Sequence, residues 1–303
     1  MISVPNGCPA SNPSSRLGPG YGHTAGARIA EHPGIDKVSF TGSTATGRSV
    51  VQASAGNLKR VQLELGGKGA NVVFDDANLV AAVNGSAFAI FHNQGQACIA
   101  GSRLLLHERI ADEFIERFVA LAASIRLGDP LDPATEMGPL TSPMHRDRVL
   151  AYVKVAEDQG GTVLTGGTAP TDPALANGCY VRPTVVRADP DDRVCQEEVF
   201  GPFVTVSTFS DERELMDIVN GTAYGLGGGL WTNDGAPDEV TFARVEAEMA
   251  QMTQGVDEVW LLLSEPEMWD ARRLTDAWLN SHAVLAETAH FHGAQVRRYR
   301  FER

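Results

Sequence analysis

An α/β fold with largely parallel sheets is predicted for this chain on three observations. Short apolar segments rich in β-formers alternate with longer segments whose apolar residues recur at helical spacing, the signature of strand–helix–strand units. No internal repeat interrupts that alternation. The composition, 43% hydrophobic and 21% charged over 303 residues, allows a buried core and a chain of about two domains.

Residues 1–22 carry Pro, Gly, Ser and Asn throughout and read as loop. "AGARIAEHPG" reads as a short helix stopped by Pro33-Gly34. "DKVSF" is a short strand running into a turn of Gly and Ser, then into a helix. "RVQLELGG" alternates like a strand until Gly66-Gly67 breaks it, and "ANVVFDD" reads as a compact buried strand. "RLLLH" suits a strand, and the segment after it places Phe114, Phe118, Leu121 and Ile125 at helical spacing. "SPMHRDRVLAYVKVAEDQGG" is a helix with Ser142 as cap, Pro143 in its first turn and Gly160-Gly161 at its end. "DERELMDIVNG" is another, with Asp211 and Glu214 at capping-box spacing and Asn220-Gly221 as the stop. Toward the C-terminus "EVTFARVEAEMAQMTQ" reads as helical and "DEVWLLLS" as a strand. "DARRLTDAWLNSHAVLAETAHF" then reads as helical and "AQVRRYRFER" as a strand.

The formal charge of −13 opposes binding to a phosphate backbone, so no nucleic-acid partner is expected. Cys8, Cys98, Cys179 and Cys195 are scattered without C-x-x-C spacing. That argues against a zinc site or a disulfide framework and for a reducing, cytoplasmic setting, with no metal expected. The polar, proline-broken start "NGCPASNPSS" does not read as a signal peptide. No apolar run reaches the roughly 18 residues that span a bilayer, so no membrane partner is expected.

Two constellations have chemical meaning. "GSTATGRS", Gly42 to Ser49, departs from the phosphate loop G-x-x-x-x-G-K-[ST] by one residue, Arg48 standing where Lys reaches the β- and γ-phosphates. Asp75-Asp76 after "NVVF" mimics the magnesium-holding acid of a triphosphatase, but Arg is a poor substitute for that lysine. The second constellation is "LELGGK", Leu63 to Lys68, with "NQGQACIAGSR", Asn93 to Arg103. Cys98 is flanked by Ala97, Ala100 and Gly101, which leave room for approach and for backbone N–H groups to meet an oxyanion. Glu64, beside the Gly-Gly turn, is placed to act as a general base toward water. The residues alone leave Cys98 open between nucleophile and inert small core residue.

"FTGSTATG", "LELGGK", "FHNQGQACIAGSR", "GDPLDPATEMGPL", "YVRPTV", "EEVFGPF" and "YGLGGGLWT" follow one another in the order seen in the aldehyde dehydrogenase superfamily. Over about residues 18–233 the chain resembles its NAD(P)-dependent branch. The resemblance implies a three-layer α/β/α protein with a Rossmann-like cofactor domain, here incomplete. It implies NAD or NADP as cofactor and a small-molecule aldehyde as substrate. Cys98 would form a thiohemiacetal and then a thioester, and Glu64 would activate the water that hydrolyses it. Gly42 and Ser43 would face the cofactor pyrophosphate. Leu65, just before the cofactor-side Gly66, would meet the carboxamide through its backbone, Glu198 would hold the nicotinamide ribose and Phe200 would pack near that ring. Lys68 would support the turn, and the other cysteines would be bystanders.

The resemblance also implies boundaries and departures. Residues 1–66 would be a partial dinucleotide-binding domain, 67–235 the catalytic domain, and 236–303 a divergent segment supplying strands to the cofactor-side sheet. Family members begin upstream of Met1, with a second oxyanion donor and the adenosine-ribose contacts in that part. The strand that pairs subunits is not recognisable, so a homo-oligomer stays open. His92 stands where the family commonly has an aromatic, and Gly69-Ala70 where Ser-Pro is common. A catalytically impaired remnant, acting as a folded or protein-binding domain, is the alternative.

Overall fold

The computed structural model describes residues 20–233, 258–264, 279–291 and 294–300. The chain divides into two units, Met1–Asn233 and Asp234–Arg303.

The first unit begins with a helical turn, Gly22–Gly26, that runs into α1 (Ala27–Glu31). A strand–helix–strand unit follows: β1 (Lys37–Thr41), α2 (Thr44–Ser54) and β2 (Arg60–Glu64). The two strands pair in parallel, Lys37 opposite Arg60 through Thr41 opposite Glu64. Among the described residues this sheet has two strands.

The chain then builds a larger sheet from β3 (Ala70–Val73), α3 (Leu79–Phe91), β4 (Arg103–His107) and α4 (Ala111–Ser124). It continues through α5 (Pro143–Asp158), β5 (Thr162–Thr165), β6 (Thr184–Arg187) and α6 (Arg193–Gln196). β7 (Phe203–Phe209), α7 (Glu212–Asn220) and β8 (Gly228–Trp231) complete it. The six strands lie in the order β5-β6-β7-β4-β3-β8, parallel except for β5. Successive residues of a strand point to opposite faces, and β4 shows what that achieves. Leu104 and Leu106 pack with Phe114 and Phe118 of α4 and Ile90 of α3. Leu105 packs on the other face with Phe209 and Leu215 of α7. Two helical layers thus cover one largely parallel sheet, which bears out the three-layer expectation. A third cluster joins Val149 and Tyr152 of α5 to Val186, Val194 and Phe203.

The helix ends follow the sequence signals. Ser142 Oγ accepts the His145 N–H at 3.2 Å, with Pro143 in the first turn of α5. Asp211 Oδ1 accepts the Glu214 N–H at 2.9 Å, but Glu214 reaches past the cap to the Ser210 N–H, at 2.8 Å, one residue outside a standard capping box.

The second unit contains β9 (Glu258–Ser264), β10 (Val284–Phe291) and β11 (Ala294–Arg300), an antiparallel sheet in the order β10-β11-β9. Two expectations are corrected here. Residues 284–291 form a strand, not the end of a helix; of the described residues in that segment, only 279–282 are helical. Among the described residues these strands also pair with one another, and the β1–β2 sheet that they were expected to extend holds only its own two strands. The helix expected over 239–254 lies outside the described residues. Among the described residues no helix is long and apolar enough to cross a membrane.

Candidate active site

Three turns meet at the site. The first is the end of β2, where Glu64 is exposed. Its carbonyl accepts the Gly42 N–H at 3.0 Å, tying the turn after β1 to the end of β2. Leu65 lies over Gly47 of α2. The next two residues leave no room for side chains. A Cβ at Gly66 would collide with the Glu198 carboxylate, and one at Gly67 with the Cys98 carbonyl. The Gly67 N–H donates to Glu198 Oε1 at 3.0 Å. Residues distant in sequence, Gly66, Cys98 and Glu198, are therefore brought to one place by a two-glycine run.

The second turn carries Cys98. After α3 the backbone of Asn93 (φ 50°), Gln94 (φ 58°) and Gly95 (φ 67°) is left-handed at three successive residues. Such backbone costs a non-glycine residue about 1 kcal/mol or more. Asn93 Nδ2 donates to the Gln96 carbonyl at 3.0 Å, and the Gln96 N–H donates back to the Asn93 carbonyl at 3.0 Å. Gly95 is required here twice, for its positive φ and because a Cβ would run into the Gly201 carbonyl. Cys98 is a free, half-buried thiol. Among the described residues its own N–H makes no hydrogen bond, the state an oxyanion donor needs.

The third turn, Glu197 to Gly201, carries Glu198, with Phe200 left-handed at φ 61°. The Phe200 ring meets that of His145 edge-on, centroids 6.0 Å apart. Helix α5 touches this turn at several points: His145 Nε2 is 2.6 Å from the Phe200 carbonyl, and an Arg148 N–H donates to the Glu198 carbonyl at 3.1 Å. The Tyr152 hydroxyl donates to Glu197 Oε2 at 2.8 Å. Arg193 pairs with Glu197 at 2.8 Å and holds its carboxyl below the usual range.

Beside the first turn, α2 opens toward solvent. Ser43 Oγ accepts the Thr46 N–H at 3.2 Å. Among the described residues the Thr44 and Ala45 N–H groups have no hydrogen-bond acceptor. Free N–H groups at a helix start are where anions bind. A mainly apolar cavity of about 540 Å³ lies next to them, bounded by Ala27, Ala30, Val38, Phe40, Thr46 and Val50.

Beneath the Gly-Gly turn sits a buried cationic support. Lys68 is 2% exposed, and its Nζ donates to the Val194 carbonyl at 2.6 Å. Burial pulls its pKa down to about 8, against a smaller opposite pull from the Cys195 thiol. Arg103 donates to the carbonyls of Lys68 at 3.0 Å, Ile218 at 2.8 Å and Val219 at 2.9 Å. One guanidinium thus joins the turn to the C-terminal end of α7, where the helix dipole favours a cation. Cys195 is buried in this support, its thiol pushed up by burial.

Sequence reading missed Arg103 and the α5 residues His145, Arg148 and Tyr152. The only available signal was their one-face spacing on α5. Among the described residues no group of His, Cys, Asp or Glu could hold a metal ion.

Comparison with known proteins matches residues 15–257 to the model of the aldehyde dehydrogenase family. The betaine aldehyde dehydrogenase of Bacillus subtilis (strain 168) is 45% identical over 219 residues, covering 72% of this chain and 44% of that protein. A crystal structure of PnpE from Pseudomonas sp. WBC-3 is 69% identical with a TM-score of 0.71, covering 73% of this chain and 46% of that one. One of PnpE in complex with nicotinamide adenine dinucleotide is 68% identical with a TM-score of 0.72, covering 74% and 46%. The chain spans less than half the length of these relatives.

Proposed function

The chain belongs to the aldehyde dehydrogenase family, and from that premise we propose that it carries the acyl-transfer core of an enzyme oxidising an aldehyde to a carboxylic acid with NAD or NADP. One observation carries this reading: the Gly66-Gly67 run lies against both Cys98 and Glu198.

In this reading the Cys98 thiolate attacks the aldehyde carbon. A carbon–sulfur bond forms, and the oxygen gains charge beside the free Cys98 N–H, which stabilises it. Cys98 holds the thiohemiacetal, and a nicotinamide, when bound, would accept the hydride lost as that adduct becomes the thioester. Glu64, exposed at the end of β2, takes a proton from water; the resulting hydroxide adds to the thioester, the carbon–sulfur bond breaks, and the acid leaves with Cys98 restored. The chain's residues fit a dinucleotide. The free N–H groups at the start of α2, with Gly42 and Ser43, suit a pyrophosphate, and the adjacent apolar cavity suits a flat ring. Glu198 would hold ribose hydroxyls, the Leu65 backbone, just before Gly66, would meet the carboxamide, and Phe200 would pack near the ring. Residues 1–66 then form the partial dinucleotide-binding domain, which also lends Glu64, 67–235 the catalytic domain, which also lends Glu198 and Phe200 to the cofactor, and 236–303 a divergent segment. The relatives' names support aldehydes as the substrate class.

A second reading, a folded or protein-binding domain without turnover, is favoured by the two-stranded extent of the cofactor-side sheet among the described residues. Nicotinamide reduction by purified protein with NAD or NADP and simple aldehydes separates the two. The expected outcome is turnover that falls by at least about 10³-fold in Cys98→Ala. A folded protein that reduces neither cofactor sinks the first reading and leaves the second.

A further inference from the structure

We infer that one face of α5 is a clamp that positions Glu198 on the Gly67 N–H, with His145, Arg148 and Tyr152 as its positioning residues. Its bearing on the cofactor rests on the proposed role of Glu198; the clamp itself is a property of the apo chain.

Positions 145, 148, 149 and 152 fall on one helix face, and each meets the Glu197–Gly201 turn. His145 Nε2 pairs with the Phe200 carbonyl, Arg148 with the Glu198 carbonyl and Tyr152 with the Glu197 carboxylate. Val149 packs against Gly201, where a Cβ would stand 2.6 Å from its Cγ2. Four contacts from one rigid element fix a turn that belongs to neither helix nor strand and holds a left-handed phenylalanine.

The consequence reaches both catalytic halves. On one side the fixed turn presents Glu198 Oε1 to Gly67. On the other, the Gly201 carbonyl is the surface that Gly95 lies against. The rotation of α5 therefore sets Glu198 and the turn preceding Cys98 together. Glu197 anchors the clamp, held by Tyr152 and Arg193, while Glu198 points inward.

Backbone hydrogen exchange on the purified chain tests this without turnover. His145→Phe keeps a ring against Phe200 but removes the Nε2 partner; Arg148→Met removes the donor to Glu198; Tyr152→Phe removes the hydroxyl. Each is expected to raise exchange at Gly67 and at residues 198–201 by about tenfold, with β4 and β7 unchanged. His145→Gln, which returns a side-chain N–H donor, restores protection. Unchanged exchange at Gly67 in all three variants overturns the clamp, and so does a uniform rise across the first unit. NAD binding, followed by fluorescence quenching, is measured alongside. If the wild-type chain binds NAD, weaker binding in proportion to the exchange supports the positioning role, and full affinity with raised exchange overturns it. If the wild-type chain binds none, the cofactor reading falls while exchange still decides the clamp.

Discussion

Strands β2 and β4 are both five residues long, yet every residue of β4 is buried and none of β2 is. The difference separates the two scaffolds of the site. Cys98 precedes a strand in the middle of a six-stranded sheet covered on both faces. Gly42, Ser43 and Glu64 stand on two strands and one helix, where Val38 is the only buried strand residue. A two-stranded unit has little independent stability in water. The scaffold under Cys98 supplies its own core, whereas the β1–α2–β2 scaffold is shallow and draws much of its shape from main-chain ties such as Gly42 to Glu64.

The largest test of that contrast is Phe118→Ala. Phe118 is 1% exposed within the cluster that also holds Leu104 and Leu106. Truncation is expected to cost about 3–5 kcal/mol, read from urea unfolding followed by far-UV dichroism. A loss under about 1 kcal/mol breaks the claim that this sheet carries the stability.

Lys68→Met sharpens the contrast at the seam between the scaffolds. Below about pH 8 Lys68 is charged in both the folded and the unfolded chain, and the folded chain bears the cost of burial. From about 8 to the ordinary 10.5 the folded chain has lost a proton that the unfolded chain keeps. Stability contributed at this site therefore rises with pH across that window. Unfolding midpoints compared between wild type and Lys68→Met should show the wild type gaining on the variant as pH climbs from about 8 to 10. Parallel pH curves contradict the lowered pKa.

The smallest effect belongs to the shallow side. Ser43→Ala removes the cap of α2 and is expected to cost about 1 kcal/mol. Hydrogen exchange should show the loss confined to α2, β1 and β2. A loss spread equally to β4 would mean that the two scaffolds unfold as one.

Much of the arrangement was legible because local signals and tertiary structure agree. "RLLLH" is apolar throughout, and its strand is buried throughout. Ser142-Pro143 and Asp211 announce helix starts that the structure contains. The meeting of Gly66 with Glu198 and of Gly67 with Cys98 was not legible in the sequence; close packing accounts for the glycines. Lys68 was expected to support the turn, but its burial and the part played by Arg103 were not legible, because a cation's burial depends on residues such as Val194 and Ile218, far along the chain. "HAVLAETAHF" read as helix because Val284, Leu285 and Ala289 satisfy more than one periodicity in a short run. Antiparallel pairing with β11 decides it as a strand, a tertiary effect that overrides local preference.

The left-handed run from Asn93 to Gly95 has a consequence in time. Its backing is the carbonyl of Gly201, and Gly201 in turn rests on Val149. A chain made from its N-terminus exposes the cysteine long before residue 201 emerges, and domains generally fold as units once their parts exist. During synthesis Cys98 is therefore an ordinary thiol on an unshaped loop. It gains its setting only when the last of the three turns is in place, so the nascent chain carries the cysteine well before it carries the surroundings that shape it.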